Sequence, residues 1–228
     1  MIALLPVYRP SFHLPQLLTA LGNDTPAVVV DDGGGPGAAA VLDAARALGA
    51  TVLHHPANRG KGAALRTGLA HIAEAWPGHG VVCADADGQH RAEDVRRVAR
   101  HTEVTGRIAL GVREFGAGVP LRSRVGNGLT AALFRAATGL RVRDTQTGLR
   151  AYPAGHLQWL LGIPGDGFDY EMRVLLAAAR AGHPIDTVDV ATTYLDDNAG
   201  SHFSPLGDSA RVYRPLLAGL FGADARED

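Results

Sequence analysis

Short apolar runs alternate with longer mixed ones through the first half of the chain. Ile2–Val7, Ala27–Val30, Thr51–His55, Gly80–Ala84 and Arg107–Val112 are mostly apolar or β-branched, with little polar alternation. Such runs predict strands buried on both faces. Between them, Phe12–Leu21, Ala38–Leu48, Gly60–Trp76 and Ala92–Thr102 read as helices. Pro15 falls in the first turn of the first helix, where its missing N–H is tolerated. Gly49 suits a stop for the second. Glu93 and Asp94 suit the positive end of the fourth.

The second half is less regular. Glu114–Pro120 reads as a Gly-rich loop, Arg122–Thr138 as a helix and Arg141–Thr147 as a polar loop. A short strand is predicted near Leu149–Tyr152, a helix over Tyr170–Ala181 stopped by Gly182, and a strand over Ile185–Thr193. Asp196–Ser204 reads as a polar loop and Leu206–Leu220 as a terminal helix interrupted near Pro215. Strands alternating with helices predict an α/β fold, a mostly parallel sheet flanked by helices on both faces. No repeat, low-complexity tract or linker divides the chain. The expectation is a single domain over residues 1–228, with a regular half (1–112) and a less regular half (113–228).

Composition narrows the function classes. With 46% hydrophobic and 20% charged residues over 228 positions, a packed core is expected and disorder is not. A net charge of −1 gives no pull toward nucleic acid and allows at most peripheral membrane contact. One cysteine, Cys83, excludes an internal disulfide framework and fits a reducing compartment. No basic leader precedes Pro6, and no apolar run approaches the roughly 18 residues of a membrane span. A cytoplasmic location is expected.

Parallel sheets bind ligands at the carboxyl ends of their strands. Three predicted strand ends carry Tyr8, the pair Asp31–Asp32, and Asp85-Ala86-Asp87-Gly88-Gln89-His90. Asp85 and Asp87, two apart on an extended segment, point to one side, and Gln89 continues that face. These hard oxygen donors suit Mg²⁺ or Mn²⁺ shared with phosphate and water. The twelve-residue pattern of an EF-hand does not follow. Asp31-Asp32-Gly33 can bond a base or ribose; read alone, it also suits an Asp-rich turn with a helix cap after it. Asn58-Arg59-Gly60-Lys61-Gly62 offers free N–H groups and a lysine charge to a phosphate, without the spacing of a Walker loop. Arg113, Arg122 and Arg124 flank the Gly-rich loop and can clamp a phosphate, or be ordinary surface. Asp144 with Gln146 sits in a polar turn able to touch a sugar, with Asp144 a candidate general base. Asp169 and Glu171 open a helix, where they serve either the site or the dipole. His202 lies in a polar loop and can donate to a diphosphate.

In order along the chain, Pro6-Val7-Tyr8, Asp31-Asp32-Gly33, Asn58–Gly68, Asp85–His90, Gly111-Val112-Arg113, Asp144–Arg150 and Ser201-His202-Phe203 resemble the family 2 glycosyltransferases of GT-A (Rossmann-like) fold. Within them the chain is similar to the polyprenol-phosphate (dolichyl-phosphate) mannosyl- and glucosyltransferase branch. The resemblance implies transfer of a sugar from a GDP- or UDP-linked donor, with inversion, to an acceptor such as a polyprenyl phosphate or a small molecule. It places Pro6, Tyr8, Asp31 and Asp32 at the donor's base and ribose, and Asp85, Asp87 and Gln89 at the metal and diphosphate. Arg113, with Arg122 or Arg124, would meet an acceptor phosphate. Arg9-Pro10 stands where the family often has Asn-Glu, Gly34 where it has Ser, and His202 where the branch has Lys. The alternative is a nucleotide-sugar isomerase or pyranose–furanose mutase that uses the same site without an acceptor.

Overall fold

The structure, a computed structural model, describes residues 1–113 and 121–191, with backbone only for 121–125. The loop expected over 114–120 lies outside these residues, as do the loop expected over 196–204, with His202, and the helix expected over 206–220.

Seven strands form one sheet: β1 (Ile2–Val7), β2 (Ala27–Asp31), β3 (Thr51–His54), β4 (Val81–Cys83), β5 (Ile108–Arg113), β6 (Arg150–Tyr152) and β7 (Ile185–Val190). Their order is β3-β2-β1-β4-β6-β5-β7. β3, β2, β1 and β4 pair in parallel, as do β5 and β7. β6 alone runs against its neighbours β4 and β5.

Among the described residues seven α-helices cover the sheet: α1 (His13–Leu21), α2 (Ala39–Ala47), α3 (Lys61–Ala75), α4 (Ala92–Thr105), α5 (Leu121–Thr138), α6 (Leu157–Leu161) and α7 (Asp169–Arg180). The strands divide their side chains by parity. Ala3, Leu5, Val29 and Val82 face a core built with Leu14, Leu18, Leu42 and Val95 of α1, α2 and α4. Leu4, Val28, Val30 and Val81 face a core built with Leu65, Leu69, Leu160 and Val174 of α3, α6 and α7. Leu110, Val112, Phe134 and Met172 extend that second face toward α5. Strands apolar at almost every position are what a sheet covered on both sides requires.

The predicted elements that fall on the described residues appear, with ends moved by a few residues. β4 stops at Cys83, so the acidic segment does not continue the strand as expected. It bends over 86–88, where Gly88 has φ +90. The strand predicted over Ile185–Thr193 ends at Val190. α6 was not predicted, because five residues are too few to show a period. Gly68 brings α3 close to the sheet: a Cβ there would lie 2.1 Å from Leu4 Cδ1 and 3.1 Å from Val30 Cγ2.

Candidate active site at the carboxyl edge of the sheet

The register sets the ends of three strands level, with Val7 beside Asp31 and Asp31 beside His54. Tyr8 follows β1, Asp31 closes β2, Asp85–Gln89 follow β4 and Arg113 closes β5. Because β6 is reversed, its first residue, Arg150, and the loop before it reach the same edge. Lys61 opens α3, after β3.

Asp31 is fully buried. Gly34 N–H donates to its Oδ1 at 2.9 Å, and His54 Nδ1 lies 2.7 Å from its Oδ2. Asp32 is nearly as buried. Its Oδ1 meets His55 Nδ1 at 2.7 Å and the Arg59 N–H at 2.9 Å, and its Oδ2 accepts from Gly60 N–H at 2.8 Å. An ionised carboxylate only accepts, so each imidazole presents Nδ1–H to it. The Nε2 of His55 then meets Thr67 Oγ1 at 2.9 Å. Asp32 therefore anchors the turn that leads into α3. Gly33 makes this possible, since a Cβ there would lie 2.4 Å from the Ala57 carbonyl carbon, and its φ is +75. Pro6 and Tyr8 are half-buried beside this pair. The Arg9 guanidinium sits 5.1 Å from the Tyr8 ring centroid. Arg9 has φ +50, alone among the described residues other than glycine.

Asp85 is the meeting point of the site. Lys61 Nζ lies 2.8 Å from Asp85 Oδ1 and 2.8 Å from Glu171 Oε2. Glu171 Oε1 is 3.6 Å from Nε of Arg150, whose side chain is 2% exposed. Arg150 also donates to the carbonyls of Thr147 at 2.7 Å, Glu171 at 2.6 Å and Thr145 at 3.0 Å. Charges thus alternate along Arg150, Glu171, Lys61 and Asp85. Burial works against the Lys61 charge, but Asp85 and Glu171 outweigh it and hold its pKa above the ordinary lysine value. Burial likewise opposes ionisation of Asp85, and Lys61, His90 and Arg150 together outweigh it, so the Asp85 pKa falls. Asp87 moves the other way, raised by burial and by the charge of Asp85. Its Oδ1 accepts from Gln89 N–H at 3.0 Å. Cys83, behind the site, has its thiol pushed up to about 12 by burial first and Glu171 next, which fits inert core.

Gly148 closes the far side. A Cβ there would lie 2.1 Å from Asp85 Oδ2. Nearby, Asp144 is fully buried: Oδ2 accepts from Arg113 Nε at 2.9 Å and Oδ1 from Gln146 N–H at 3.2 Å. The Gln146 side chain is exposed. Arg122 and Arg124 lie on the first turn of α5, where backbone alone is described.

The acidic pair suits a divalent cation, within a limit. Among the described residues no three His, Cys, Asp or Glu side chains converge on one point. Two hard carboxylates, one raising the pKa of the other, suit a cation that takes its remaining oxygens from a bound diphosphate.

Sequence reasoning missed His54, His55, Gly148 and the role of Arg150. The doublet His54-His55, at the end of the strand paired with Asp31, was a usable signal. So was an arginine between Leu149 and Ala151, since a buried guanidinium must be paired.

Residues 10–152 match the family model described as glycosyl transferase family 2. A protein of Methanocaldococcus jannaschii, itself uncharacterised, is 31% identical over 176 residues, covering 74% of this chain and 70% of its own. Glucosyl-3-phosphoglycerate synthase from Mycobacterium tuberculosis, in complex with Mn²⁺, UDP-glucose and phosphoglyceric acid, superposes with a TM-score of 0.68 at 21% identity. It covers 99% of this chain and 80% of its own. A mannosyltransferase from Pyrobaculum calidifontis, in complex with GDP-Man and Mn²⁺, gives 0.61 at 21% identity, covering 100% and 64%. At such identities the structural likenesses establish the fold, and the fold is GT-A. With the family model spanning the edge from Asp31 to Arg150, the chain belongs to glycosyl transferase family 2.

Proposed function

We propose that the protein transfers a glycosyl group from a GDP- or UDP-linked sugar to a phosphate-bearing acceptor, with a divalent cation on the donor diphosphate and inversion at the anomeric carbon. The observation that carries this reading is the Asp85/Asp87 pair backed by Lys61 at the carboxyl edge of the sheet. Asp85, Asp87 and Gln89 would hold Mg²⁺ or Mn²⁺, which supplies charge stabilisation for the departing diphosphate. The complexes of the two solved neighbours, both containing Mn²⁺ and a nucleotide sugar, support the choice of cation and donor.

The chain's own residues do the rest. Pro6, Tyr8 and the buried Asp31 would line the base and ribose. Asp32 holds the turn that presents Lys61. Lys61, braced by Glu171, faces the charge that grows on the diphosphate. Asp144 fixes Arg113, which with Arg124 would hold the acceptor's phosphate; Gln146 would meet the sugar and His202 the diphosphate. An acceptor phosphate oxygen bonds to the anomeric carbon while the bond to the diphosphate oxygen breaks, and the electron pair leaves with the nucleoside diphosphate. An ionised phosphate brings no proton to remove. Asp144, with both oxygens engaged, is then better suited to hold Arg113 than to act as a base. A polyprenyl phosphate and a small phosphorylated molecule both fit this chemistry.

Incubation with Mn²⁺ and a panel of GDP- and UDP-sugars, with and without such acceptors, tests the reading. Slow release of nucleoside diphosphate, accelerated by one acceptor, is expected. A new isomeric nucleotide sugar formed without any acceptor would assign the mutase instead. Asp87→Ala should abolish Mn²⁺-dependent nucleotide binding in calorimetry; unchanged binding would remove Asp87 from the metal site.

A further inference from the structure

We infer that Lys61 is an exchangeable counter-ion: it occupies Asp85 until a metal–nucleotide arrives, and then turns to the diphosphate while Glu171 keeps hold of it. The inference rests on the metal reading of Asp85 and Asp87.

The geometry presents a competition. Lys61 Nζ touches Asp85 Oδ1 at 2.8 Å, so one oxygen proposed for the cation is already spent on an ammonium. A cation arriving alone must displace that ammonium, and a hydrated divalent ion brings nothing to receive it. A nucleoside diphosphate changes the balance, because its oxygens are acceptors for the released Lys61. Metal and nucleotide then help each other onto the protein by more than their direct contact.

Glu171 explains why the exchange is local. Its Oε2 lies 2.8 Å from Nζ, and its side chain is only 10% exposed. Arg150, behind it and buried, donates to three carbonyls. Lys61 therefore has a fixed second partner and need not swing into water when Asp85 is taken. Glu171 and Arg150 are positioning residues here, acting through Lys61. Gly60 and Gly62 hold the start of α3 against the loop before α7, where Cβ atoms would lie 2.3 Å from the Asp166 carbonyl oxygen and 2.5 Å from that of Gly165. The backbone that carries Lys61 is thereby fixed, and the exchange belongs to the side chain.

Mn²⁺ is titrated by calorimetry into wild type, Lys61→Gln, Glu171→Gln and the double variant, each alone and with saturating UDP or GDP, with circular dichroism and melting as fold checks. Wild type should bind Mn²⁺ weakly alone and more tightly with nucleotide. Lys61→Gln should bind Mn²⁺ alone about tenfold more tightly and lose most of the nucleotide's help, a change within ordinary coupling between sites. Glu171→Gln should move the other way, since Lys61 then leans wholly on Asp85. A structural defect would weaken both.

The double variant separates contact from field, because it restores the wild-type charge. It should keep the raised Mn²⁺ affinity of Lys61→Gln. Its return to the wild-type value would overturn the exchange, and so would an unchanged Lys61→Gln. Absence of Mn²⁺ binding in wild type, even with nucleotide, would instead overturn the metal reading and this inference with it. Should Lys61→Gln not fold, Glu171→Gln decides alone: Mn²⁺ affinity equal to or above wild type would refute the exchange.

Discussion

At the scale of single residues, the site depends on backbone approaches that only glycine permits. Gly148 brings the loop before β6 against Asp85 Oδ2, where a Cβ would lie at 2.1 Å. Gly148→Ala should push Asp85 off its position. A shift of this kind costs on the order of a hundredfold in turnover, and Mn²⁺-dependent nucleotide binding should weaken with it, while the circular dichroism spectrum stays native. Asp32 makes a different prediction. Its carboxylate takes His55 and two backbone N–H groups. Asp32→Asn places an NH₂ against a donor and should cost roughly 1–3 kcal/mol of stability in urea unfolding, the penalty for an unsatisfied buried group. That Asp31–Asp32, Lys61, Asp85, Asp87 and Arg113 gather at one edge was legible from sequence, because each follows or closes a predicted strand or opens the helix after one. The partners of those groups were not. That Lys61 belongs to both Asp85 and Glu171 depends on contacts between distant parts of the chain, the second across more than a hundred positions, which no local pattern carries.

At the scale of elements, the strands and most helices were legible, since a sheet covered on both faces leaves unbroken apolar runs. The close seat of α3 on β1 was not, because it hangs on one absent methyl group. Gly68→Ala must move Leu4, itself fully buried, or lift the helix, and should lower stability by about 1–3 kcal/mol in thermal or urea unfolding. The junction of α6 with the start of β7 carries a pH dependence. His156 packs on His183 with ring centroids 4.5 Å apart and on Trp159 at 5.8 Å, and neither of its nitrogens has a hydrogen-bond partner. Burial, and then His183, lowers its pKa. A histidine that resists protonation only in the folded state takes stability away as pH falls from about 6.5, the unfolded value, toward its lower folded one. His156→Phe should flatten the stability–pH curve between about pH 7 and 5; a slope equal to wild type would show that His156 contributes nothing to it.

At the scale of the whole molecule, the described residues beyond 113 are woven into the sheet and the site of those before it. β6 lies between β4 and β5, and Glu171 and Arg150 reach back to Lys61 and Asp85. A fragment of residues 1–113 would leave β4 with one edge bare, take both neighbours from β5 and strip the α3 face of α6 and α7. It should show no cooperative unfolding transition, whereas the full chain should show one. Strand order was illegible for the same reason, since the placement of a three-residue reversed strand is decided by what both neighbours lack. That reversed strand also bears on how relatives diverge. β5 ends, and β6 begins, at the same edge, and the excursion between them is pinned at both feet, by Arg113 on Asp144 and by Gly111 N–H on the Leu149 carbonyl at 2.8 Å. Apart from the core-packed Phe134 and Val142, what is strung between those feet can be lengthened, shortened or exchanged by evolution without re-registering the sheet. The edge that carries Asp31, Lys61 and Asp85, woven from strand ends and glycine contacts, has no such freedom. If the proposed function holds, new acceptors should therefore arise by rewriting residues 114–143, with the proposed donor site inherited unchanged.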